Sequence, residues 1–226
     1  MSRILVVTGT DTGVGKTIAT ASLARAYAAS GLPVHVDKPV QTGVGPEGGG
    51  DVAEIARLAG RVGTSEGIRM TEPMAPVPAA AIDGIRLPSL DAQVDRLRLL
   101  ADTADVLLIE GAGGLLVRLD EAGATIADVA TGLGAPLIVV TRAGLGTLNH
   151  TELTLEALAR RGLSVAGLII GAWPAHPGAI ERSNREHLAG LGVPLLGALP
   201  DGAGALSPAE FGRQAPGWLA LDRVTA

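Results

Sequence analysis

Short apolar runs alternate with stretches of helical periodicity along most of the chain. The runs are rich in Val, Ile and Leu and contain few polar residues, which is typical of strands buried on both faces of a sheet. Strands are therefore predicted over 4–7, 34–36, 106–109, 137–141, 165–170 and 195–199. Helices are predicted over 16–30, 51–60, 89–101, 124–133, 148–161, 178–190 and 207–221.

The order of these elements predicts an α/β fold. Repeated strand–helix units imply right-handed crossovers and a doubly wound, mainly parallel sheet flanked by helices. Gly31, Gly162 and Gly192 each follow a predicted helix, where a glycine commonly ends one. The Gly- and Pro-rich connections 43–50 and 63–88 are long enough to suggest a function. The 226 residues contain no repeat or linker, so a single domain over 1–226 is predicted.

The connection from the first strand to the first helix reads GTDTGVGKT over 9–17. A glycine-rich turn that opens a helix with Gly-Lys-Thr is the pattern of a phosphate-binding loop, because the backbone N–H groups and the helix dipole face an anion. Lys16 is then expected to reach the β- and γ-phosphates, and the Thr17 hydroxyl to ligate Mg²⁺. Gly9 lies one residue farther from Gly15 than in the common pattern, and a glycine turn with a solvated lysine is the alternative.

Lysine is rare in this chain: of 18 Lys and Arg residues, only Lys16 and Lys38 are lysine. We interpret both as positions that require a compact ammonium rather than a planar guanidinium. Lys38 follows the second predicted strand, at the sheet edge where ligands of open α/β sheets bind. An exposed strand end is the alternative interpretation.

Two acidic residues have a candidate metal role. Glu110 follows a predicted buried strand in DVLLIEGAGG, where a carboxylate faces the same crevice and can hold Mg²⁺ or its waters. Asp51 follows three glycines and is either a metal ligand or a helix N-cap, with Glu54 closing a capping box. Both interpretations of Asp51 stay open.

The segment LGTLNHTELTLEAL (145–158) begins a predicted helix, with Thr147 or Asn149 as its cap. The N–H groups of such a helix start can also bind a carboxylate. His150 is interpreted as structural, because no Ser-His-Asp arrangement can be argued. Trp173 and Trp218 are interpreted as packing residues.

Composition excludes several function classes. The net charge of −5 and the 2% aromatic content argue against binding of nucleic acid. The absence of cysteine excludes disulfides, thiolate metal sites and thiol nucleophiles. No run of about 18 apolar residues indicates a membrane span, and the apolar start is too short for a signal peptide. A cytoplasmic location and no membrane partner are expected.

The motifs in this order resemble the dethiobiotin synthetase family of the biotin pathway. The resemblance runs nearly end to end through GTDTGVGKT, KPVQTG, Asp51 after its glycines, PMAPVPAAA, EGAGGLLV and LGTLNHTELT. The shifted first glycine of the phosphate-binding loop is this family's form. The resemblance implies a P-loop NTPase-like domain and an ATP-dependent ligase.

The resemblance also implies the reaction. 7,8-Diaminononanoate and CO₂ are converted into dethiobiotin, with release of ADP and phosphate. One amine captures CO₂ as a carbamate, the carbamate oxygen attacks the γ-phosphate, and the second amine displaces phosphate from the mixed anhydride. Mg²⁺ is the implied cofactor, ATP or another nucleoside triphosphate the co-substrate, and a homodimer with its substrate site at the subunit interface the implied assembly.

By position, the resemblance assigns catalysis to Lys16 and Lys38, and metal binding to Thr17, Asp51 and Glu110. Nucleotide binding is assigned to Thr12, Gly13, Val14, Gly15, Lys16, Thr17, Glu110, Gly111, Gly113, Gly171 and Pro200. Substrate binding is assigned to Thr12, Lys38, Thr42, Gly111, Ala112, Gly113, Gly114, Gly146, Leu148 and Asn149, the last three through the partner subunit.

Two positions depart from the family pattern. Many members carry an acidic residue where this chain has Gly13, so one polar contact near substrate or phosphates is missing. Relatives often place an asparagine that reads adenine where this chain has Gly171, and glycine offers no side-chain hydrogen bond. We therefore expect weak discrimination among nucleoside triphosphates.

Three other protein classes fit the sequence less well. Partitioning and division-site ATPases carry the motif KGGVGKT, with a signature lysine where this chain has Asp11. Many of them also carry a basic amphipathic C-terminal helix, whereas the C-terminal segment here is interrupted by Gly and Pro and is only weakly basic. Cobyrinate-type synthases usually carry an amidotransferase domain with a nucleophilic cysteine, and this chain has no cysteine. A non-catalytic phosphate-binding scaffold would leave Lys38 and Glu110 unexplained.

Overall fold

Seven parallel strands form one sheet in the computed structural model, which describes residues 2–225. The sheet order is β3-β2-β4-β1-β5-β6-β7, and all neighbouring strands pair in parallel. Their carboxyl ends therefore meet at one edge, where open α/β sheets bind ligands. The strands are β1 (Arg3–Gly9), β2 (Val34–Gln41), β3 (Gly63–Arg69), β4 (Val106–Gly114), β5 (Leu137–Thr141), β6 (Val165–Trp173) and β7 (Leu195–Pro200).

Helices cover both faces of this sheet, which confirms the doubly wound α/β fold within a single domain. The predicted domain limits, 1 and 226, lie outside the described residues. None of the helices in residues 2–225 is long and apolar enough to cross a membrane. The helices are α1 (Lys16–Ala29), α2 (Gly50–Ala59), α3 (Pro76–Asp83), α4 (Leu90–Ala101), α5 (Ile126–Leu133), α6 (Thr147–Arg160), α7 (Ala179–Ala189) and α8 (Pro208–Gln214).

The central strands divide their side chains between two cores. Leu5 and Val7 pack in the core under α1, α2 and α8, whereas Val6 packs in the core under the other five helices. All three are at most 1% exposed. Because both faces of β1 are covered, its residues 4–7 are apolar on both sides of the strand, which explains the missing polar alternation.

The prediction that 63–88 is a connection without a strand or helix is wrong, because this segment contains β3 and α3. β3 reads GTSEGIR, with two glycines and one large apolar residue, and it is the partly exposed edge strand of the sheet. Its hydrophobic signal is therefore too weak to predict a strand. The predicted helix 207–221 is too long, because α8 ends at Gln214 and short 3₁₀ turns follow.

Several strands run farther than predicted, and β2 and β4 are extended most. β2 continues to Gln41 because it pairs with β3, and β4 continues to Gly114 because it pairs with β1. Lys38 and Glu110 therefore lie within strands rather than after them. Lys38 is only 3% exposed, so the alternative of an exposed strand end is wrong.

The predicted side-chain caps are also wrong. α6 starts after Gly146, which adopts φ +85°, and the Thr147 hydroxyl donates to the carbonyl of Arg142 at 2.7 Å. The N-cap of α2 is Gly49, which has no side chain to cap the helix, so Asp51 is not the N-cap and forms no capping box with Glu54. Two predicted helix ends are confirmed, because Gly31 and Gly162 directly follow the C-caps of α1 and α6 and adopt positive φ. The prediction for Gly192 is wrong, because α7 is capped by Gly190.

Candidate active site

The phosphate loop (residues 9–17) rests directly on β6. A Cβ placed on Gly171 would lie 1.9 Å from the carbonyl oxygen of Val14, and one on Gly15 would lie 2.7 Å from the carbonyl oxygen of Gly171. Gly15 also adopts φ +94°. Backbone thus packs against backbone here, and only glycine fits without displacing the loop.

One side chain, from the residue after β5, contacts the other flank of the phosphate loop. Arg142 directly follows β5, and its Nη2 atom donates to Asp11 Oδ2 at 2.9 Å and to the carbonyl of Thr12 at 3.0 Å. Sequence reasoning missed Arg142. Its neighbours Thr141 and Ala143 are buried. Nothing in this local sequence indicates a contact with Thr12, which lies 130 positions earlier.

Lys16 is enclosed by the phosphate loop and is 8% exposed. Its Nζ atom donates to the carbonyl of Asp11 at 3.2 Å. Burial lowers the pKa of the Lys16 ammonium, and the nearby charge of Lys38 lowers that pKa further. Two positive charges therefore face one site, and no carboxylate of residues 2–225 pairs directly with Lys16, which suits the binding of a polyanion.

Lys38 lies between two carboxylates. Its Nζ atom is 2.6 Å from Asp51 Oδ2, 2.8 Å from Glu110 Oε1 and 3.0 Å from the carbonyl oxygen of Gly111. Burial alone would lower the pKa of Lys38, but the charges of Glu110 and Asp51 outweigh it and raise that pKa. Lys38 is thus held as an ammonium.

Glu110 is fully buried at the centre of this cluster. Its Oε1 atom accepts from Lys38 and, at 3.2 Å, from the Thr17 hydroxyl. Its Oε2 atom has no hydrogen-bond partner within residues 2–225. Asp51 is one-third exposed; burial acts to raise its pKa, but the Lys38 ammonium outweighs this and lowers it.

These groups line one cavity of about 420 Å³ at the carboxyl edge of the sheet. Most predicted site residues border it: Thr12, Gly13, Gly15, Lys16, Thr17, Lys38, Thr42, Asp51, Glu110, Ala112 and Gly113. Gln41 also borders it and was missed, although it lies inside KPVQTG. A larger open cleft of about 1450 Å³ lies against β7, but no predicted site residue lines it.

The remaining predicted residues lie outside the cavity lining. Val14 is buried beneath the phosphate loop, where it contacts Gly171, and Gly111 is reached only through its carbonyl. The others are Gly114, which borders a neighbouring hollow of about 400 Å³, Pro200, which ends β7 beside Trp173, and Gly146, Leu148 and Asn149, which start α6.

Trp173, Trp218 and His150 are the side chains that the sequence analysis interprets as structural. Trp218 meets Phe211 edge-to-face with ring centroids 5.3 Å apart, and the Arg185 guanidinium lies 5.2 Å from the Trp173 ring centroid. Both tryptophans pack against the core clusters, as predicted. His150 is exposed and lines the 400 Å³ hollow rather than the core.

Two solved structures with a similar fold are MinD proteins. The septum site-determining protein MinD complexed with Mg-ADP from Pyrococcus horikoshii has a TM-score of 0.59, 18% identity, and coverage of 96% of this chain and 91% of that chain. The cell division ATPase MinD of Pyrococcus furiosus has a TM-score of 0.55 and 19% identity, with coverage of 95% and 89%. At this identity the similarity establishes the fold alone.

Sequence comparison is more specific. A family model described as an AAA domain matches residues 3–205. The ATP-dependent dethiobiotin synthetase of Mycobacterium sp. (strain JLS) is 52% identical over 96% of this chain and 98% of its own length. Those of Mycobacterium avium (strain 104) and Streptomyces coelicolor are 53% and 52% identical over 99% and 96% of this chain, and 98% and 92% of their own lengths. The chain therefore belongs to the ATP-dependent dethiobiotin synthetase family.

Proposed function

We propose that this chain closes the urea ring of dethiobiotin from 7,8-diaminononanoate, CO₂ and ATP, releasing ADP and phosphate. The observation that carries the proposal is the pairing of Lys16 and Lys38 in one cavity with the phosphate loop. The reaction passes through several anions, and its nucleophiles are the two amines of the substrate. The protein therefore has to position the reactants and stabilise charge, and it needs no nucleophilic side chain.

We propose that the reaction proceeds in three steps. One substrate amine adds to CO₂ and loses a proton, giving a carbamate. A carbamate oxygen attacks the γ-phosphorus, and the bond to ADP breaks. The second amine then attacks the carbamate carbon, phosphate leaves with the transferred oxygen, and the amine loses its proton. We assign Lys16 to the negative charge on the phosphoryl group and Lys38 to the carbamate, because a buried ammonium stabilises charge without reorganisation.

The cluster around Glu110 fits a magnesium ion. The buried Oε2 atom of Glu110 lacks a partner within residues 2–225, and oxygen ligands are those that Mg²⁺ prefers. We assign Thr17, Asp51 and Glu110 to hold the ion, directly or through water. The described part of the chain has no group of three His, Cys, Asp or Glu side chains that could hold a metal ion, so we assign the remaining coordination positions to water and phosphate oxygens. Bound Mg²⁺ supplies charge neutralisation on the phosphates.

Substrate contacts are proposed on both sides of a subunit interface. Thr42 and the backbone of Gly111–Gly114 face or adjoin the cavity. The start of α6, including Gly146, Leu148 and Asn149, lies outside this subunit's cavity, and the adjoining Leu145 is 81% exposed. We propose a homodimer in which this helix start binds the substrate carboxylate in the partner's site.

Gly171 bears on how strongly the protein discriminates among nucleoside triphosphates. This residue is buried under the phosphate loop, where an asparagine side chain would collide with Val14. The chain therefore cannot carry an amide at this position without moving the loop, and we propose weak discrimination among the bases. A cytoplasmic location stays a prediction.

The test is phosphate release by the purified protein with Mg²⁺, ATP and bicarbonate, with and without 7,8-diaminononanoate, while dethiobiotin is followed by mass. We expect phosphate and dethiobiotin in equal amounts, both dependent on the diamine. Hydrolysis of every triphosphate tried that is insensitive to the diamine would contradict the proposal and leave a phosphate-binding loop with another substrate.

A further inference from the structure

The glycine loop (residues 42–49) connects β2 to α2, whose second residue, Asp51, contacts Lys38. Most of its residues are exposed, and its one internal backbone hydrogen bond joins the Gly48 N–H to the carbonyl of Gly45 at 3.0 Å. A glycine-rich loop loses much conformational entropy when it is ordered. Contacts from elsewhere must therefore fix it if Asp51 is to stay in place.

Two backbone hydrogen bonds to the segment 70–72 hold the first residues of the loop. Three side chains of β2 and β3 hold the rest: Gln41, Glu66 and Arg69, the loop anchor. The Nη1 atom of Arg69 donates to the carbonyls of Gly45 and Gly48. Its Nε and Nη2 atoms each donate to one carboxylate oxygen of Glu66 at 2.8 Å. A bidentate pair of this kind fixes the plane of the guanidinium, so its remaining donor points in a defined direction.

The loop anchor encloses the backbone immediately before Asp51. Gln41 Oε1 accepts from the Asp51 N–H at 2.9 Å, while its amide nitrogen donates to the next backbone carbonyl at 2.9 Å. Gly50 adopts φ +64°, and a Cβ there would lie 3.1 Å from Gln41 Oε1, 3.1 Å from Glu66 Oε1 and 3.3 Å from Arg69 Nη2. All three anchor side chains therefore meet the chain at Gly50.

The anchor is also shielded from solvent. Gln41 is 4% exposed, and the side chains of Glu66 and Arg69 are 14% and 27% exposed. Hydrogen bonds in partly buried positions are screened less by water and salt than surface pairs. The anchor can thus hold the loop at a defined distance from Lys38 and Glu110.

We propose that Gln41, Glu66 and Arg69 are positioning residues that fix Asp51 for Mg²⁺ binding. The inference rests on the proposed metal role of Asp51. The loop anchor itself holds no metal. It orders the backbone around Asp51 before the ion binds, so that less conformational entropy is lost when Mg²⁺ binds. Loss of the anchor should therefore raise the Mg²⁺ requirement more than it lowers the rate at saturating Mg²⁺.

The test compares Arg69→Met with Arg98→Met. Arg98 is a matched control, because it also pairs with a carboxylate three residues earlier, Asp95, and donates to a backbone carbonyl, that of Gly132, far from the cavity. We expect Arg69→Met to raise the Mg²⁺ concentration for half-maximal activity about tenfold, as expected for loss of a group that supports a metal ligand. The rate at saturating Mg²⁺ should change less than about threefold, and Arg98→Met should change neither.

A binding readout separates this from a general loss of activity. Mn²⁺ is used as the probe, and its free signal is measured by electron paramagnetic resonance in the presence of ADP. Arg69→Met should weaken Mn²⁺ binding about tenfold. Should that variant fail to fold, Gln41→Leu removes the acceptor of the Asp51 N–H and is expected to shift both readouts in the same direction.

Asp51→Asn distinguishes the inference from the proposed function. If Asp51→Asn weakens Mn²⁺ binding while Arg69→Met and Gln41→Leu bind it like the unmodified protein, the anchor inference is overturned and the metal role of Asp51 stands. If Asp51→Asn also binds Mn²⁺ normally, the metal role of Asp51 fails and the inference falls with it.

Discussion

The phosphate loop and the glycine loop border the same cavity but are held in different ways. The phosphate loop is fixed mainly by its own backbone, which packs against the backbone of Gly171 on β6, and one side chain, Arg142, contacts its other flank. The glycine loop has two backbone hydrogen bonds near its start, and the part next to α2 is fixed by side chains, chiefly the Arg69 guanidinium with its partner Glu66. A local motif is therefore enough to predict the first loop, whereas the second depends on contacts made elsewhere in the fold.

The lysine associated with each loop reflects this difference. Lys16 is enclosed by backbone, and burial lowers its pKa. Lys38 is also buried, but Glu110 and Asp51 outweigh that burial and raise its pKa. The first lysine is thus kept free for an incoming anion, while the second is already paired with two carboxylates that we assign to the metal.

The largest expected effect is the loss of either ammonium. Lys16→Ala and Lys38→Ala should each reduce the rate of dethiobiotin formation about a thousandfold or more, because each removes a charge placed for the reacting anions. Lys38→Ala should also destabilise the fold by about 3–5 kcal/mol, since it leaves buried Glu110 unpaired, whereas Lys16→Ala should not. Rates are compared with thermal unfolding of the same samples. Normal turnover by Lys38→Ala would refute its assigned role.

Lys38→Arg tests whether charge alone suffices beside the glycine loop. A guanidinium is planar and larger than an ammonium, so it cannot reproduce the three short contacts that Lys38 Nζ makes with Asp51, Glu110 and Gly111. We expect a rate about a hundredfold lower, because a small misplacement of a catalytic group is costly. Full activity in steady-state assays would show that the compact ammonium is not required.

Gly171→Ala tests whether the phosphate loop depends on close backbone approach. The new methyl group would lie 1.9 Å from the Val14 carbonyl oxygen, so the loop has to move. We expect ATP affinity to fall about tenfold, roughly 1.4 kcal/mol, in a calorimetric titration. Gly217→Ala is the control, because its Cβ meets nothing within 4 Å. Equal affinities in the two variants would show that the contact with β6 is dispensable.

The smallest effect concerns the base of the nucleotide. If the phosphate loop supplies most of the nucleotide affinity and Gly171 reads no base, then ATP, GTP and CTP should have similar apparent affinities. Competition assays should give a preference for ATP below about a hundredfold, or roughly 2.7 kcal/mol. A stronger preference means that other groups read adenine.

The sequence predicted the fold class and most of the cavity because those features depend on local patterns. Apolar runs mark the buried strands, and GTDTGVGKT places Lys16 and Thr17 at a helix start. The three-dimensional position of Lys38 could not be predicted from a local pattern. Its strand extends past the apolar run only because it pairs with β3.

The missed parts share one physical cause. β3 is a polar edge strand, so Glu66 and Arg69 could not be placed on a strand, and their contacts with the glycine loop could not be inferred. The capping interpretation of Asp51 failed for the same reason, because its carboxylate is engaged by Lys38 from a strand that precedes it. Arg142 likewise acts across a long sequence separation.

The most direct test of the proposed chemistry is the transfer of oxygen from CO₂ to phosphate. The protein is mixed with C¹⁸O₂, the diamine and Mg-ATP and quenched before the label exchanges with water. Attack of a carbamate oxygen on the γ-phosphate predicts one labelled oxygen in the released phosphate and one in the ring carbonyl of dethiobiotin. Dethiobiotin formed with unlabelled phosphate would contradict the account, because the carbamate would then never have been phosphorylated.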